Sequence, residues 1–317
     1  MEEKKKIATR DAYGKTLAEL AVTDKNLVVL DADLSKSTKT ADFAAVAPER
    51  FFNVGIAEQN MIGVAAGLAA CGKTPFVSSF AIFAVGRAFE QIRNSVAYPQ
   101  LNVKIAATHA GITVGEDGGS HQSIEDISLM RTLPNMTVVV PADAIETEQA
   151  VKALAAYQGP AYLRLGRLAT PQINDEDYQF KIGETVLLRP GRDIAIFACG
   201  MMVAVALEAA ELLAQESISA TVINVHTIKP LDVDAVVERA GLCGAAISVE
   251  EHSIYGGLGS AIAEALAENC SVPFARVGID DKFGQSGSPD ALLRAYGLTP
   301  TVIATRAKAV IARKKAK

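Results

Sequence analysis

Short apolar, β-branched runs alternate along this chain with longer alanine-rich stretches, and no other feature of the sequence limits the fold as strongly. The segments NLVVLDADL (26–34), FVSSF (76–80), NVKIAATHA (102–110), MTVVVPAD (136–143) and AYLRLG (161–166) have the length and composition of buried strands. Between them AEQNMIGVAAGLAACG, GRAFEQIRNSVA and AIETEQAVKALAAYQ carry a helical period. Strands that return through helices pair in parallel, and a parallel sheet is covered on both faces. The pattern predicts an α/β fold.

Between Leu168 and Arg192 the rhythm lapses into a polar stretch punctuated by Pro171, Pro190 and Gly191. It resumes with DIAIFACG, VAVALEAAELLAQE, ATVINVHTIKP, VDAVVERAG, AAISVEEHS, LGSAIAEALAEN and DALLRAYG. A chain of 317 residues is long enough for two domains of about 150 each. The expected organisation is two doubly wound domains, residues 1–175 and a smaller 191–317, joined by a linker over 176–190. The final TVIATRAKAVIARKKAK reads as a helix ending in lysines, which suits the helix dipole.

A formal net charge of −5, with lysines and arginines scattered among acids, supplies no basic face for a long nucleic acid, so no such partner is expected. The four cysteines, Cys71, Cys199, Cys243 and Cys270, lie too far apart for a zinc motif or a dense disulfide framework. A reducing, cytoplasmic location is expected. MEEKKKIATRDAYG has charges without an apolar segment behind them, and no run reaches the ~18 apolar residues of a membrane helix. Neither export nor a membrane anchor is expected.

Ligands of open α/β sheets bind beyond the carboxyl ends of the strands, which directs attention to DADLSKST, NVGIAEQN, SSFAIF and THAGITVGEDGGSHQ. Glu58 opens a helix of small apolar residues. It is either a first-turn glutamate favoured by the dipole, or a partly desolvated carboxylate with a raised pKa that shares a proton with a ligand nitrogen. Phe80 and Phe83, three apart, are either core or the walls of a slot for a flat heterocycle.

His109, Glu116, Asp117 and His121 crowd one glycine-rich loop that holds two of the chain's four histidines. Without His-x-x-x-His or Glu-x-x-His spacing a protein-held zinc is not expected, and hydrogen bonding to a polyol or carbonyl is the alternative to a plain surface turn. Arg10 (after Thr9, a plausible N-cap), Arg87, Arg164 and Arg167 are either surface ion pairs or forks for a phosphate. GGLGS at 256–260 reads as helix capping and close packing, because the rest of a dinucleotide fingerprint is missing. Glu250, Glu251 and His252 are assigned no catalytic role, and His226 is expected to be structural, near a domain contact.

Taken together, NVGIAEQNMIGVAAGLAACGKTPFVSSFAIF, THAGITVGEDGG and SHQSIEDISLMRTLPNMTVVVPAD resemble the pyrimidine-binding domain of transketolase, and the remainder resembles its C-terminal domain. The likeness runs from ATRDAYG to VIATRAKAV. The diphosphate-binding domain of that family, with its Gly-Asp-Gly motif and metal-binding asparagine, has no counterpart here. The resemblance therefore implies the second subunit of a split-gene transketolase, working with an N-terminal, diphosphate-binding subunit and self-associating in an α2β2 heterotetramer.

The resemblance further implies thiamine diphosphate with Mg2+ (or Ca2+) ligated by the partner subunit, and transfer of a two-carbon ketol unit between phosphorylated sugars. Position by position, it assigns Glu58 to the aminopyrimidine nitrogen, with Phe80, Phe83 and Ile56 around that ring. Gly86 stands where the family commonly has a third aromatic. His109 and His121 match histidines that contact hydroxyls of donor and intermediate, Asp117 the aspartate that reads the donor's second hydroxyl, and Arg10, Ser37 and Arg167 the holders of acceptor phosphate. The loop glycines are expected to let backbone lie close to the cofactor. Arg87, in GRAFEQIR, is more similar to the arginine of 1-deoxy-D-xylulose-5-phosphate synthase and joins the expected substrate residues; that enzyme and the beta subunit of a two-oxoacid dehydrogenase are the alternatives. GEDGGSHQ speaks against the latter.

Overall fold

The computed structural model describes residues 5–314. Its strands, in chain order, are β1 Lys6–Ala8, β2 Leu27–Asp31, β3 Phe51–Asn53, β4 Thr74–Ser78, β5 Lys104–Ala107, β6 Thr137–Val139, β7 Ala161–Arg164, β8 Ala169–Pro171, β9 Val186–Arg189, β10 Ile194–Ala198, β11 Ala220–Asn224, β12 Thr227–Lys229, β13 Ala246–Ser253 and β14 Phe274–Ile279. Seven form one sheet in the order β12-β6-β7-β5-β4-β2-β3, and five form a second, β14-β13-β10-β11-β9. β2 to β7 pair in parallel. Every residue of LVVLD, TPFVS, KIAA and AYLR is buried, as strands covered on both faces by helices require. The α/β fold expected from the alternation is the fold observed.

Three departures from the sequence reading have physical causes. ATVINVHTIKP is not one strand, because after β11 the chain turns at His226, whose carbonyl accepts the Val140 N–H (2.7 Å), and β12 pairs antiparallel with β6. The second half of the chain thus covers what would be an exposed edge of the first sheet. Within the stretch expected to link the domains, β9 pairs antiparallel with β11 and closes the far edge of the second sheet. β1 and β8 also pair, tying the start of the first sheet's helical layer to its end. The terminal helix is Pro300–Ile311, and Lys315 and Lys317 lie outside the described residues. Among the described residues no helix is long and apolar enough to cross a membrane.

The two sheets share core. One apolar cluster runs from Leu30, Ile105 and Tyr162 of the first sheet to Phe197 and Ile223 of the second. Polar groups lock the same seam. Arg164 donates to both oxygens of Asp126 (2.7 and 3.2 Å) and to the carbonyls of Ser123 and Glu251, while the Tyr162 hydroxyl donates to Asp126 at 2.6 Å. Despite burial, the Arg164 charge holds the Asp126 carboxyl below the usual range. Arg164, read as a possible phosphate fork, is instead a buried clamp.

His226 packs against Phe180 (centroids 4.5 Å apart, rings tilted by 43°), and burial pushes it down to about 4, so it is a neutral packing group at the seam. Glu146 lies beside it in the interface and accepts from Ala142 N–H, Tyr178 O–H and the Asn224 amide across the seam.

Removing one partner of a buried pair leaves the other unmatched, so Asp126→Asn should lower unfolding free energy by roughly 3–5 kcal/mol in a denaturant titration; a loss under about 1 kcal/mol would contradict the clamp. A second prediction concerns Glu146, which burial pushes up to about 7. An acid whose folded pKa is raised contributes fully below its unfolded value, near 4.5, and loses that contribution as pH climbs towards 7. Glu146→Gln should therefore flatten the stability–pH curve across that window, and an unchanged slope would show that Glu146 does not set it.

Candidate active site

The site is built where β4 and β5 end side by side. The backbone pairing continues past the strands, with the Ala81 N–H on the Thr108 carbonyl (2.8 Å) and the Thr108 N–H on the Ser79 carbonyl (3.1 Å). That register sets Phe80 against His109, whose rings stack at 3.8 Å between centroids. His109 has φ of +58°, a left-handed conformation uncommon outside glycine and often kept where a side chain must be aimed.

Phe83 stacks on Phe80 (5.9 Å, 14°), and the edge of His121 meets Phe83 at 5.2 Å. Phe83 lies in a segment, Ile82–Arg87, wound with the wide i→i+5 turn that occurs mostly at functional sites. The helix expected to open at Gly86 thus begins earlier. On its outer side the Arg87 guanidinium lies 4.1 Å from the Phe83 centroid and pairs with Glu58 at 3.0 Å. Glu58 is the first residue of the helix Glu58–Ala70, and its carboxylate is only 4 % exposed.

At the other end Arg10, in the first turn of the helix Thr9–Thr23, donates through one nitrogen to His109 Nε2 and the Ser37 carbonyl, both at 3.0 Å. Ser37 is held there by Asp31 at the end of β2, which accepts from Leu34 N–H, Thr38 and Thr40. Thr9 is not a cap; it is already helical, and its hydroxyl accepts the Gly166 N–H at 2.8 Å, fixing the turn that carries Arg167. Arg167 donates to the Val114 carbonyl and reaches Glu116 at 3.5 Å. Burial lowers the Arg10 guanidinium from its usual value, with Asp11 opposing and the Arg167 charge adding to the effect. Two guanidiniums this close have the chemistry to hold an anion.

The hydrogen bonds also settle which imidazole nitrogen of His109 carries the proton. Arginine only donates, so Nε2 accepts, and Nδ1–H donates to the Thr108 hydroxyl at 2.8 Å. Burial, with Arg10, Arg167 and His121 nearby, pushes His109 down to about 3, so the ring is neutral in ordinary buffers. Thr108 escaped the sequence reading, because nothing in the pair Thr-His marks the threonine as the tautomer's partner.

The structure thus brings Glu58, Arg87, Phe83, His121, Phe80, His109, Arg10, Ser37 and Arg167 into one continuous row. Ile56 and Asp117 flank it, both exposed, without a recorded contact to its side chains. The glycines of GEDGGSHQ have a use within the chain itself. Gly115, Gly118 and Gly119 lie against residues 284–289 of the second half, and a Cβ on Gly119 would meet the Gly284 carbonyl at 2.6 Å. Gln122, which carried no assignment from sequence, seats that contact by donating to the carbonyls of Ile112, Gly115 and Gln285. The GGLGS turn is filled from within, since Glu250 accepts the N–H groups of Leu258 and Gly259, both at 2.7 Å. Among the described residues no three His, Cys, Asp or Glu groups converge as a metal site.

A row of stacked rings with a buried carboxylate at one end and two arginines at the other, on the carboxyl edge of a parallel sheet, has the chemistry to meet a flat heterocycle at one end and an anion at the other. Comparison with known proteins identifies the class. Residues 5–172 match the transketolase pyrimidine-binding domain and residues 183–303 the transketolase C-terminal domain. The chain belongs to the transketolase family. It is 53 % identical over 300 residues, 94 % of each chain, to a putative transketolase C-terminal section of Methanocaldococcus jannaschii. It is 48 % identical over 305 residues, 96 % of this chain and 95 % of the other, to a 6-deoxy-6-sulfo-D-fructose transketolase subunit of a Clostridium species. Among solved structures, a split-gene transketolase described as an inactive beta4 tetramer superposes with a TM-score of 0.92 and 54 % identity over 98 % of this chain and all of that one.

The neutral state of His109 is directly checkable. Its ring proton resonances should not move between pH 5 and 8, and a titration centred near the ordinary value of about 6.5 would contradict the burial and charges described.

Proposed function

We propose that this chain is the catalytic-face subunit of a thiamine diphosphate-dependent transketolase, moving a two-carbon ketol unit from a ketose phosphate to an aldose phosphate when joined to a diphosphate-binding partner. The observation that carries the reading is the continuous row from Glu58 to Arg167, with stacked rings and a buried carboxylate at one end and two neighbouring guanidiniums at the other. Glu58 fits the cofactor: Arg87 engages one oxygen of this buried carboxylate, and a ring nitrogen beside Phe83 would engage the other.

When bound, thiamine diphosphate supplies the carbon nucleophile and the electron sink. The residues of this chain do the rest. Glu58 holds a proton at the aminopyrimidine nitrogen, and Phe80 and Phe83, with Ile56 at the rim, keep the ring oriented and dry. His109, neutral and protonated on Nδ1, presents Nε2 as an acceptor, and His121 adds a second imidazole to the wall facing the sugar hydroxyls. Asp117 reads the donor's second hydroxyl from the rim. Arg10, the Ser37 segment and Arg167 hold the acceptor phosphate, and Arg10 couples that grip to His109.

The diphosphate and its Mg2+ or Ca2+ belong to the partner in this reading. The similar split-gene transketolase described as an inactive beta4 tetramer supports both self-association of the chain and its dependence on that partner, with α2β2 as the working assembly. Four cysteines free of disulfides are in keeping with a reducing cytoplasm.

Reconstituted with its partner, the wild-type chain should transfer ketol units from xylulose 5-phosphate, whereas pyruvate should not serve as donor. Glu58→Ala should lower kcat by about 10²–10⁴-fold, the range expected when a positioned proton-transfer group is lost. The chain by itself should show no ketol transfer. Full turnover without a partner, or an undiminished Glu58→Ala assembly, would refute the assignment.

A further inference from the structure

We propose that Arg87 belongs to the cofactor end of the site rather than to the substrate: its guanidinium is a wall of the aminopyrimidine slot and the group that positions the Glu58 carboxylate. The inference rests on the thiamine diphosphate reading above and goes beyond it, because the sequence resemblance placed Arg87 among substrate residues.

Three observations converge. Arg87 donates to Glu58 Oε1 at 3.0 Å, so the carboxylate at the helix start has one oxygen fixed and the other left to meet a ligand. The same guanidinium lies over the Phe83 ring at 4.1 Å, extending the aromatic surface by a flat cation. Gln59, the next residue after Glu58, donates its amide to the Arg87 carbonyl at 3.1 Å, so side chain and backbone of Arg87 are both gripped by the start of one helix. Arg10, by contrast, bonds His109 and the Ser37 carbonyl and feels the Arg167 charge, on the far side of the stacked rings. Arg87 makes none of those contacts.

Position 86 offers an independent handle. Apart from its chain neighbours, a Cβ on Gly86 would meet only the Ile82 Cδ1, at 3.8 Å, and its φ is not in the left-handed region, so a side chain can start there. If Arg87 works as a wall, a ring at 86 should substitute for part of it.

The test uses the assembly of this chain with its partner. Thiamine diphosphate affinity is measured by calorimetry, and KM is measured for an aldose acceptor with and without its phosphate. Arg87→Met should raise the cofactor Kd by about tenfold, the loss of one stacked, charge-assisted contact, while leaving the ratio of the two acceptor KM values within about twofold. Arg87→Lys, which keeps charge but not the flat fork, should fall between, and Gly86→Phe should recover part of the affinity of Arg87→Ala. An unchanged cofactor Kd with KM raised for the phosphorylated acceptor alone would overturn the proposal and return Arg87 to the substrate. If the wild-type assembly binds no thiamine diphosphate, the reading of function fails and this one with it; if it binds and Arg87 variants bind equally well, only this one fails.

Discussion

The buried clamp between Arg164 and Asp126 is the interaction on which the geometry of the site depends. The loop that carries His121 and starts just after His109 is closed at its base where Ala110 and Ser123 pair and the Gly111 N–H meets the Ser123 carbonyl. Arg164 holds that same carbonyl, the Asp126 helix start behind it and the Glu251 carbonyl across the domain seam. Glu251 in turn accepts the Thr113 N–H at 2.7 Å, with Gly111 packed so close to the carboxylate that no side chain fits there. A buried ion pair contributes little net stability, and its use here is to fix one register for the loop.

The second domain is thereby given a role that its own residues do not announce. In a doubly wound sheet the strand order reverses at a crevice, which in the second sheet lies between β10 and β13, where such domains commonly bind ligands. Here Glu250 fills the adjoining helix start and Glu251 reaches into the first domain. Successive strand residues point to opposite faces, so two adjacent carboxylates serve two different contacts. Glu251 thus supports, from the second domain, the loop that bears Asp117 and His121.

Legibility in the sequence followed the reach of each interaction. Strands such as LVVLD and AYLRLG were readable because continuous burial leaves a local record, and the order of the site loops followed from the rule that ligands sit beyond strand ends. The division of ATVINVHTIKP between two sheets was not, because it depends on an open edge of β6 more than eighty residues away. The glycines of GEDGGSHQ were recognisable as special, but their closeness to residues 284–289 of the second half was not legible. Arg164 gave a signal that was available, a charge inside a buried strand, which implies a buried partner. Which arginine faces which ligand was beyond the sequence, since Arg10, Arg87 and Arg167 are alike until the fold sorts them.

The central claim is that a flat heterocycle lies beside Phe83 and meets the free oxygen of Glu58. The most direct measurement is a structure of the assembled protein with thiamine diphosphate bound. The account predicts the aminopyrimidine face against Phe83 and a ring nitrogen about 3 Å from a Glu58 carboxylate oxygen. A cofactor seated elsewhere, with Glu58 still engaged by Arg87 alone, would contradict it.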